Sequence, residues 1–531
     1  MMILTMDHVK VSIAGRTILD IERLEAHQNE RIGLVGRNGQ GKTTLLNCIL
    51  RKDLVEEGMI TVKGTAQLVP QLKETGTTKS GGETSAEYFR KAFSLAPSLL
   101  LADEPTTNLD ASHVEWVQNK LQQFNGTLIL VSHDRELLDH VCTTIWELES
   151  GQITSYPGNY THYLQQKEQE QSFQQTEHEK YKQKEQQLQK ALEQKKQKAD
   201  RATKAPKNLS ASEKRIKGSK PYFAKKQKKL NQNAKSLQTR LEKLEKVEKP
   251  TEFRPVKMDL PNEKTIKDKV ILRVEESKGK AGTKLLWENT SFFLKGGNKV
   301  ALMGPNGSGK TTFLKKIIEN NVPSIIQSPA MKIGYFAQDL QVLDADKSIL
   351  ENVSEDSLQN ETFIRTVLAR LHFYQEDVHK PVKVLSGGER VKTALAKIFV
   401  SDSNTLILDE PTNYLDIYAM EALESLLKEY EGTILFVSHD RRFISSVADH
   451  ILAIENQKMS LFEGTYHEFL KRKQHKRRNQ KADDLLRIET AIAEVLGQIS
   501  LDPANSELEA KFQGLISEKR TIQELEEPKE T

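Results

Sequence analysis

Short unbroken apolar runs recur along the chain at Ile32-Gly33-Leu34-Val35, Leu99-Leu100-Leu101-Ala102, Val300-Ala301-Leu302-Met303 and Leu406-Ile407-Leu408. Runs this short and without alternation predict parallel strands covered on both faces. The first and third lead into apolar positions at helical spacing, Leu45, Leu46 and Ile49 after one and Phe313, Leu314 and Ile317 after the other. Glu361 to Phe373 predicts an amphipathic helix through Phe363, Val367, Leu368 and Leu371. The middle of the chain has a different period. Phe173, Tyr181, Leu188, Leu192 and Ala199 stand near heptad spacing, and Phe223, Leu230, Leu237 and Leu244 recur every seven residues with Leu241 between. These predict an antiparallel coiled-coil hairpin interrupted by Pro206, Gly218 and Pro221, an arm of about 60 Å if about 40 residues rise about 1.5 Å each. Leu485 to Leu496 and Leu508 to Ile522 predict two more helices around Asp502-Pro503. No apolar stretch approaches the ~18 residues of a membrane helix.

Self-similarity organises the rest. Gly36-Arg37-Asn38-Gly39-Gln40-Gly41-Lys42-Thr43 is answered by Gly304-Pro305-Asn306-Gly307-Ser308-Gly309-Lys310-Thr311, and Ser80-Gly81-Gly82-Glu83 by Ser386-Gly387-Gly388-Glu389. Leu101-Ala102-Asp103-Glu104-Pro105-Thr106 is answered by Ile407-Leu408-Asp409-Glu410-Pro411-Thr412, and Val131-Ser132-His133-Asp134-Arg135 by Val437-Ser438-His439-Asp440-Arg441. The copies stand 268 positions apart at Lys42 and Lys310 but 306 apart from Ser80 and Ser386 onward. The first copy therefore lacks about 39 residues, between Gln71 and Ser80, where the second carries the predicted amphipathic helix. The chain is a tandem of two related domains, the first without most of a small helical subdomain.

Each G-x-x-x-x-G-K-T lies between a strand and a helix, the setting of a phosphate-binding loop. Gly36, Asn38, Gly39 and Gly41, with Gly304, Asn306, Gly307 and Gly309, would turn backbone N–H groups around phosphates at a helix N-terminus. Lys42 and Lys310 would meet the β- and γ-phosphates, Thr43 and Thr311 would ligate Mg²⁺, and Thr44 and Thr312 follow in the same turn. Asp103 and Asp409, at the ends of buried strands, suit the Mg²⁺ shell; Glu104 and Glu410 suit polarisation of the attacking water; His133 and His439 suit contact with the γ-phosphate. Gln71 and Gln338 are candidates for a Mg²⁺ or water contact. Ser80 to Glu83 and Ser386 to Glu389 each stand 23 residues before the Asp of the acidic pair, which raises a common tetrapeptide to a motif.

Composition then changes the picture. The 531 residues hold 78 Lys and Arg against 74 Asp and Glu, a formal charge of +4, and two cysteines, Cys48 and Cys142. Two cysteines exclude a disulfide framework, a four-cysteine zinc site and an iron–sulfur cluster, and suit a reducing cytosol. The near-neutral total is a cancellation: residues 161–250 carry 24 basic against 11 acidic residues, +13, leaving −9 on the remainder. Within 201–230 eleven cations face Glu213 alone. Lys204, Lys207, Lys214, Arg215, Lys217 and Lys220, beside Tyr222 and Phe223, offer phosphate neutralisation with a stacking surface, which suits folded RNA. A second basic cluster runs from Lys471 through Lys481.

Together these motifs resemble the Walker A, Q-loop, signature, Walker B, D-loop and H-switch of ABC ATPases. That resemblance implies that the signature of one domain completes the ATP site of the other, so that Lys42, Thr43, Gln71, Asp103, Glu104 and His133 face Ser386 to Glu389, and the second set faces Ser80 to Glu83. Two ABC domains around a basic hairpin resemble the ABC-F family, and the run Ala202-Thr203-Lys204-Ala205-Pro206-Lys207 through Pro221-Tyr222-Phe223-Ala224 resembles its Vga-type antibiotic-resistance branch. The implied protein is a cytoplasmic, monomeric ATPase using ATP and Mg²⁺. Its implied partners are the 70S ribosome with 23S rRNA and P-site tRNA, and 16S rRNA through the C-terminal extension. The expected fold is α/β, two P-loop ABC ATPase domains in tandem joined by an α-helical coiled-coil hairpin. The expected boundaries are 1–160, 161–250, 251–470 and an extension over 471–531. A housekeeping translation factor and, less well matched, a transporter ATPase subunit are the alternatives. Three departures stand out: Val9 to Thr17 and Glu275 to Lys284 lack the aromatic on which many ABC domains stack adenine, Asn108 and Tyr414 replace the usual His of the D-loop, and Lys79 stands where the second copy has Leu385.

Overall fold

The computed structural model describes residues 1–13, 15–71, 81–107, 109, 111–201, 219–244, 266–337, 342–501 and 506–524. Each domain is built on a six-stranded sheet. In the first the order is Ala66–Val69, Leu99–Asp103, Thr127–Val131, Arg31–Val35, Thr144–Glu149, Gln152–Pro157. All neighbours are parallel except the last pair. The second repeats it as Ile333–Phe336, Thr405–Asp409, Thr433–Val437, Lys299–Met303, His450–Glu455, Lys458–Glu463. The predicted strands are thus all present, and those ending in the acidic pairs are buried at every position. An antiparallel three-stranded sheet flanks each domain: Arg16–His27, Met2–Ile13 and Glu57–Val62 in one, Lys284–Lys295, Val270–Ala281 and Ile325–Gln327 in the other.

The predicted helix after Asn360 spans Glu361–Arg370 and ends at its cap Leu371, short of Phe373; the Asn360 side chain accepts the Phe363 N–H at its start. It packs with the helices Ile349–Ser354 and Gly387–Val400. In the first domain the helix Gly81–Ser94 corresponds to Gly387–Val400 but has no such partners among the described residues. The linker consists of the helices Tyr160–Arg201 and Ser219–Glu242, packed alongside each other. The basic cluster after Lys471 and the predicted helix Leu485 to Leu496 form one continuous helix, Tyr466–Leu501, which packs against Ser506–Glu524. Not all of that cluster is free for a partner. Lys473 pairs with Glu455, and the Arg472 guanidinium lies 5.4 Å from the Phe462 ring centre.

The two domains meet along the helices Arg135–Val141 and Arg441–Val447, which follow the two histidines. Arg135, 5% exposed, pairs with Glu424 and lies 3.5 Å from Asp440 of the second domain. Ser446 donates to the other Glu424 oxygen at 2.9 Å, which satisfies the buried carboxylate. The pseudo-symmetric Arg441 reaches Glu115 at 2.8 Å and Glu136 at 3.5 Å. Breaking a buried pair from one side strands a charge. Arg135→Ala should cost about 3–5 kcal/mol of domain pairing, and Arg135→Met with Glu424→Leu should recover most of it. Small-angle scattering and thermal unfolding of the two variants check this; equal behaviour of both would refute it.

Candidate functional site

The phosphate loops begin from backbone geometry. Gly41 and Gly309 cap the helices Lys42–Leu50 and Lys310–Glu319 with φ of +102° and +100°. A Cβ at Gly309 would stand 2.8 Å from Leu286 Cδ1. Left-handed φ and contact with a packed side chain together require glycine there. Ile18 holds the matching place beside Gly41, so the wall next to the first loop is aliphatic, while beside Gly309 the Trp287 ring joins Leu286, its Cζ3 2.9 Å from the same Cβ position. Lys42 Nζ donates to the Gly36 and Arg37 carbonyls at 2.6 and 3.2 Å, and Lys310 Nζ to Gly304 and Pro305 at 2.8 and 3.3 Å. Burial lowers the Lys42 pKa from its usual value, against the fields of Glu104, Asp416 and Asp103.

Thr43 Oγ1 donates to Asp103 at 2.9 Å, and Thr311 hydrogen-bonds Asp409. Burial raises the pKa of both aspartates, and the threonine hydroxyls offset part of that. Asp409 Oδ1 is buried with no hydrogen-bond partner. A hydroxyl, a carboxylate and a spare buried oxygen at a phosphate loop form the hard oxygen set that Mg²⁺ takes.

Glu104 and Glu410 sit one residue beyond the strands with φ of +48° and +51°. Side-chain-bearing residues held in this region cost energy and mark functional positions. Both carboxyls are buried, which pushes their pKa up to about 7 despite Lys42 and Lys310 nearby. His133 N–H donates to Glu104 Oε2 at 3.1 Å, with Nε2 3.3 Å from Oε1; His439 Nε2 lies 3.2 Å from Glu410 Oε1. Burial and then the Lys42 charge push His133 far below its ordinary value, so the imidazole is neutral at pH 7.

The domains complete each other. Asn38 N–H of the first loop donates to Asp416 Oδ2 at 2.9 Å, and its amide to the Tyr414 carbonyl at 3.0 Å. Asp416 also caps the helix Ile417–Glu429 by accepting the Ala419 N–H. Gly388 abuts the same place: a Cβ there would be 2.8 Å from Tyr414 O and 3.2 Å from Asn38 Nδ2. Ser386 and Glu389 form a capping box on the helix Gly387–Val400, whose N-terminus thus stands beside the first loop. A 500 Å³ cavity lies across the seam, lined by Lys310, Thr311, Asp409, Glu410 and His439 with Thr106 and Leu109 of the first domain. Glu104 and His133 reach its wall.

The structure therefore brings together the loop lysines and threonines, the acidic pairs and the two histidines, and sets the second signature beside the first loop. Gln71 is exposed just past the strand Ala66–Val69. Lys79, Ser80, Asn108, Lys204, Lys207, Lys214, Arg215, Lys217 and Gln338 lie outside the described residues, and of Gly81, Gly82, Glu83, Lys220, Tyr222 and Phe223 only the helical backbone is described. The motifs did not reveal a polar cluster at the root of the linker. Tyr163 and Tyr418 both donate to Glu147, at 2.8 and 2.7 Å, and Lys167 reaches it at 2.9 Å. Arg442 donates to Asp139 at 2.9 Å and to the Thr161 hydroxyl at 2.8 Å. The available signal was Arg442, three residues beyond a switch histidine.

Comparison with known proteins agrees with this arrangement. An ABC transporter family profile matches residues 19–75 and 287–413, and a second ABC transporter profile matches 146–231. The chain is 38% identical to the erythromycin resistance ATP-binding protein MsrA of Staphylococcus epidermidis, over 81% of this chain and 93% of that one. It is 32% identical to the ribosome protection protein VmlR of Bacillus subtilis, over 99% and 98%. It is 27% identical to the ATP-binding protein Uup of Escherichia coli, over 88% and 83%. Among solved structures, an archaeal ribosome recycling factor, aABCE1, shares the fold with a TM-score of 0.57 at 16% identity, over 88% of this chain and 92% of that one.

The raised carboxyls carry a pH consequence. Folding raises each carboxyl pKa above its unfolded value, so both hold their protons until pH nears 7, and a role as base would be open to them only above it. The kcat/KM for ATP, which reports the free enzyme, should rise with pH through about 7. A flat profile over roughly pH 6 to 8 would count against base chemistry by these groups.

Proposed function

Since this chain belongs to the ABC-F family of ATPases, we propose that it is a ribosome protection protein that couples ATP-driven pairing of its two domains to the placement of its linker arm. Arg442, on the helix after His439, holding Thr161 in the first turn of the linker is the observation that carries this reading. A change at the γ-phosphate site has three residues to travel before it reaches the base of the arm. Lys42 and Lys310 leave their own loop carbonyls to meet the β- and γ-phosphates. The backbone N–H groups of Gly387 and Gly388 approach the same phosphate from the opposite domain. Neutral His133 donates to a γ-phosphate oxygen, while deprotonated Glu104 takes a proton from the attacking water; His439 and Glu410 do the same in the second site. Thr43 with Asp103, and Thr311 with Asp409, would hold Mg²⁺, which when bound neutralises charge on the β- and γ-phosphate oxygens.

Closed around ATP, the protein enters the tRNA exit site and extends the tip, residues 202–223, toward the peptidyl-transferase centre. There it dislodges lincosamides, pleuromutilins and streptogramin A, and hydrolysis releases it. The names of two relatives, a ribosome protection protein and a resistance protein, support the resistance role. The similarity to Uup leaves a translation factor without a drug role as the second reading.

A Glu104→Gln, Glu410→Gln variant should bind ATP, lose hydrolysis by at least roughly a hundredfold, and co-sediment with 70S ribosomes in a sucrose gradient. Free sedimentation with ATP present would sink the ribosomal reading. Expression of the wild-type protein should raise the inhibitory concentration of lincomycin, and substitutions across Asn208 to Phe223 should change the set of drugs resisted. Ribosome binding with unchanged susceptibility would favour the second reading.

A further inference from the structure

The first domain differs from the second beside the helix Gly81–Ser94. In the second domain the corresponding helix Gly387–Val400 is covered by Glu361–Arg370. Arg370 donates to Glu429 at 2.8 and 3.0 Å, Leu371 is buried, and only about 10 Å³ of space remains beneath. In the first domain a groove of about 430 Å³ is open between Gly81–Ser94 and the helix Ala111–Gln122. Its floor is aromatic. Phe93 lies 5.8 Å from Phe89 and 5.7 Å from Phe124, and Trp116 meets Phe89 edge-on at 5.9 Å. Phe93 and Trp116 are partly buried, each with some ring surface left accessible.

The same chain shows what each version is built to meet. Where the second domain has Ala396, Leu426, Glu429 and Glu431, at the 306-residue offset, the first has Arg90, Lys120, Gln123 and Asn125. Two carboxylates have given way to two amides, and two apolar positions to two cations. Ala422 has become Trp116, while the ring pair Phe399 and Tyr430, 5.5 Å apart, is kept as Phe93 and Phe124. A groove meant only to do without its covering helix needs polar side chains, but not the replacement of both of these acids together with enlargement of an aromatic floor. All four rim side chains are exposed, and among the described residues neither Arg90 nor Lys120 pairs with a carboxylate. The carbonyls at the end of the helix Ala111–Gln122 are also neutralised. Arg31 donates to those of Leu121, Gln122 and Phe124 at 2.6, 2.7 and 3.1 Å.

We propose that this groove is a second RNA contact, distinct from the hairpin tip, that takes a single-stranded nucleotide run. One base stacks on Trp116 and Phe93, Arg90 and Lys120 meet the flanking phosphates, and Gln123 and Asn125 reach the base edge. A partner helix, as in the second domain, would want the apolar rim that this groove has lost. The proposal rests on the ribosomal reading above for its source of RNA, and supplies a surface through which the first domain would grip it.

The chain has three tryptophans, of which Trp146 and Trp287 are fully buried, so quenching by an added base reports Trp116. Titrating the full-length protein with an unstructured oligoadenylate should quench its emission. Arg90→Glu with Lys120→Glu should weaken that titration at least roughly tenfold while ATP hydrolysis is kept, and added salt should weaken the wild type. No quenching, or quenching unchanged in the double variant, would overturn the proposal. A photoreactive benzoylphenylalanine at position 123 in the Glu104→Gln, Glu410→Gln protein, trapped on 70S ribosomes, should cross-link to rRNA. A cross-link to a ribosomal protein instead, or none, would overturn it. If the trapped protein fails to sediment with ribosomes while the oligonucleotide still quenches Trp116, the ribosomal reading fails and the groove stands. The reverse pair of results removes the groove alone.

Discussion

The constraint on which the molecule turns is the burial of charge between its two domains. Arg135 is almost fully withdrawn from water, and that is tolerable only while Glu424 and Asp440 of the other domain stand against it. Such a pair adds little net stability over a well-packed apolar contact. What it does is penalise any arrangement that leaves one charge unanswered, and so it fixes register. The register matters because Asn38 must come within hydrogen-bonding distance of Tyr414 and Asp416, with Gly388 packed against them, for the first phosphate loop to face the second domain's signature helix. Arg135 and Arg441 both lie on the short helices that follow the switch histidines. The seam is thus held by the elements that would sense the γ-phosphate.

That placement links chemistry to mechanics. Glu104 and Glu410 are held in left-handed backbone conformation, buried and raised to about 7, a condition that the surrounding packing has to sustain. The histidine beside each glutamate begins the turn into a helix that contacts the opposite domain. In the second domain this same helix carries Arg442, which bridges Asp139 and Thr161. Tyr163 and Tyr418 share the Glu147 carboxylate, which their hydroxyls and Lys167 hold below the usual carboxylate range despite burial. The arm root is therefore bonded to both domains at once, and separation of the domains would break bonds that fix the direction of the arm.

Much of this was legible in the sequence for a specific reason. The phosphate loops and the acidic pairs need particular side chains at fixed spacing, so their chemistry is written locally, and the buried strands betray themselves as unbroken apolar runs. Ser386 and Glu389 could have been read as a capping box from their spacing alone. The seam could not be read. Glu424, Tyr418 and Glu147 are ordinary residues on a helix and a strand, and only the pairing of domains almost three hundred positions apart gives them a task. The end of the helix at Leu371, short of Phe373, and the fusion of the basic cluster with the next helix into Tyr466–Leu501 show the same limit. Apolar periodicity identifies a helix, but caps and tertiary neighbours decide where it stops.

The shortened first domain then acquires a physical meaning beyond loss. Removing a helical subdomain exposes an apolar helix face of the kind that, in the second domain, buries Leu395, Ile398 and Phe399. A soluble surface cannot keep so large an apolar patch without cost. Filling it with Trp116 and rimming it with Arg90 and Lys120 solves that problem, but it also changes the sign of the local field relative to the second domain. The body as a whole is acidic outside the linker, −9 against +13, so a cationic aromatic groove runs against its surroundings. Local charge that opposes the net charge of its own domain raises the free energy of neither the fold nor the solvent-exposed surface, and its consequence is felt by what approaches. Under the proposed contact, an anion repelled by the rest of the body would be drawn to this face and to the basic run 201–230, which would restrict the orientations in which a polyanionic partner is engaged.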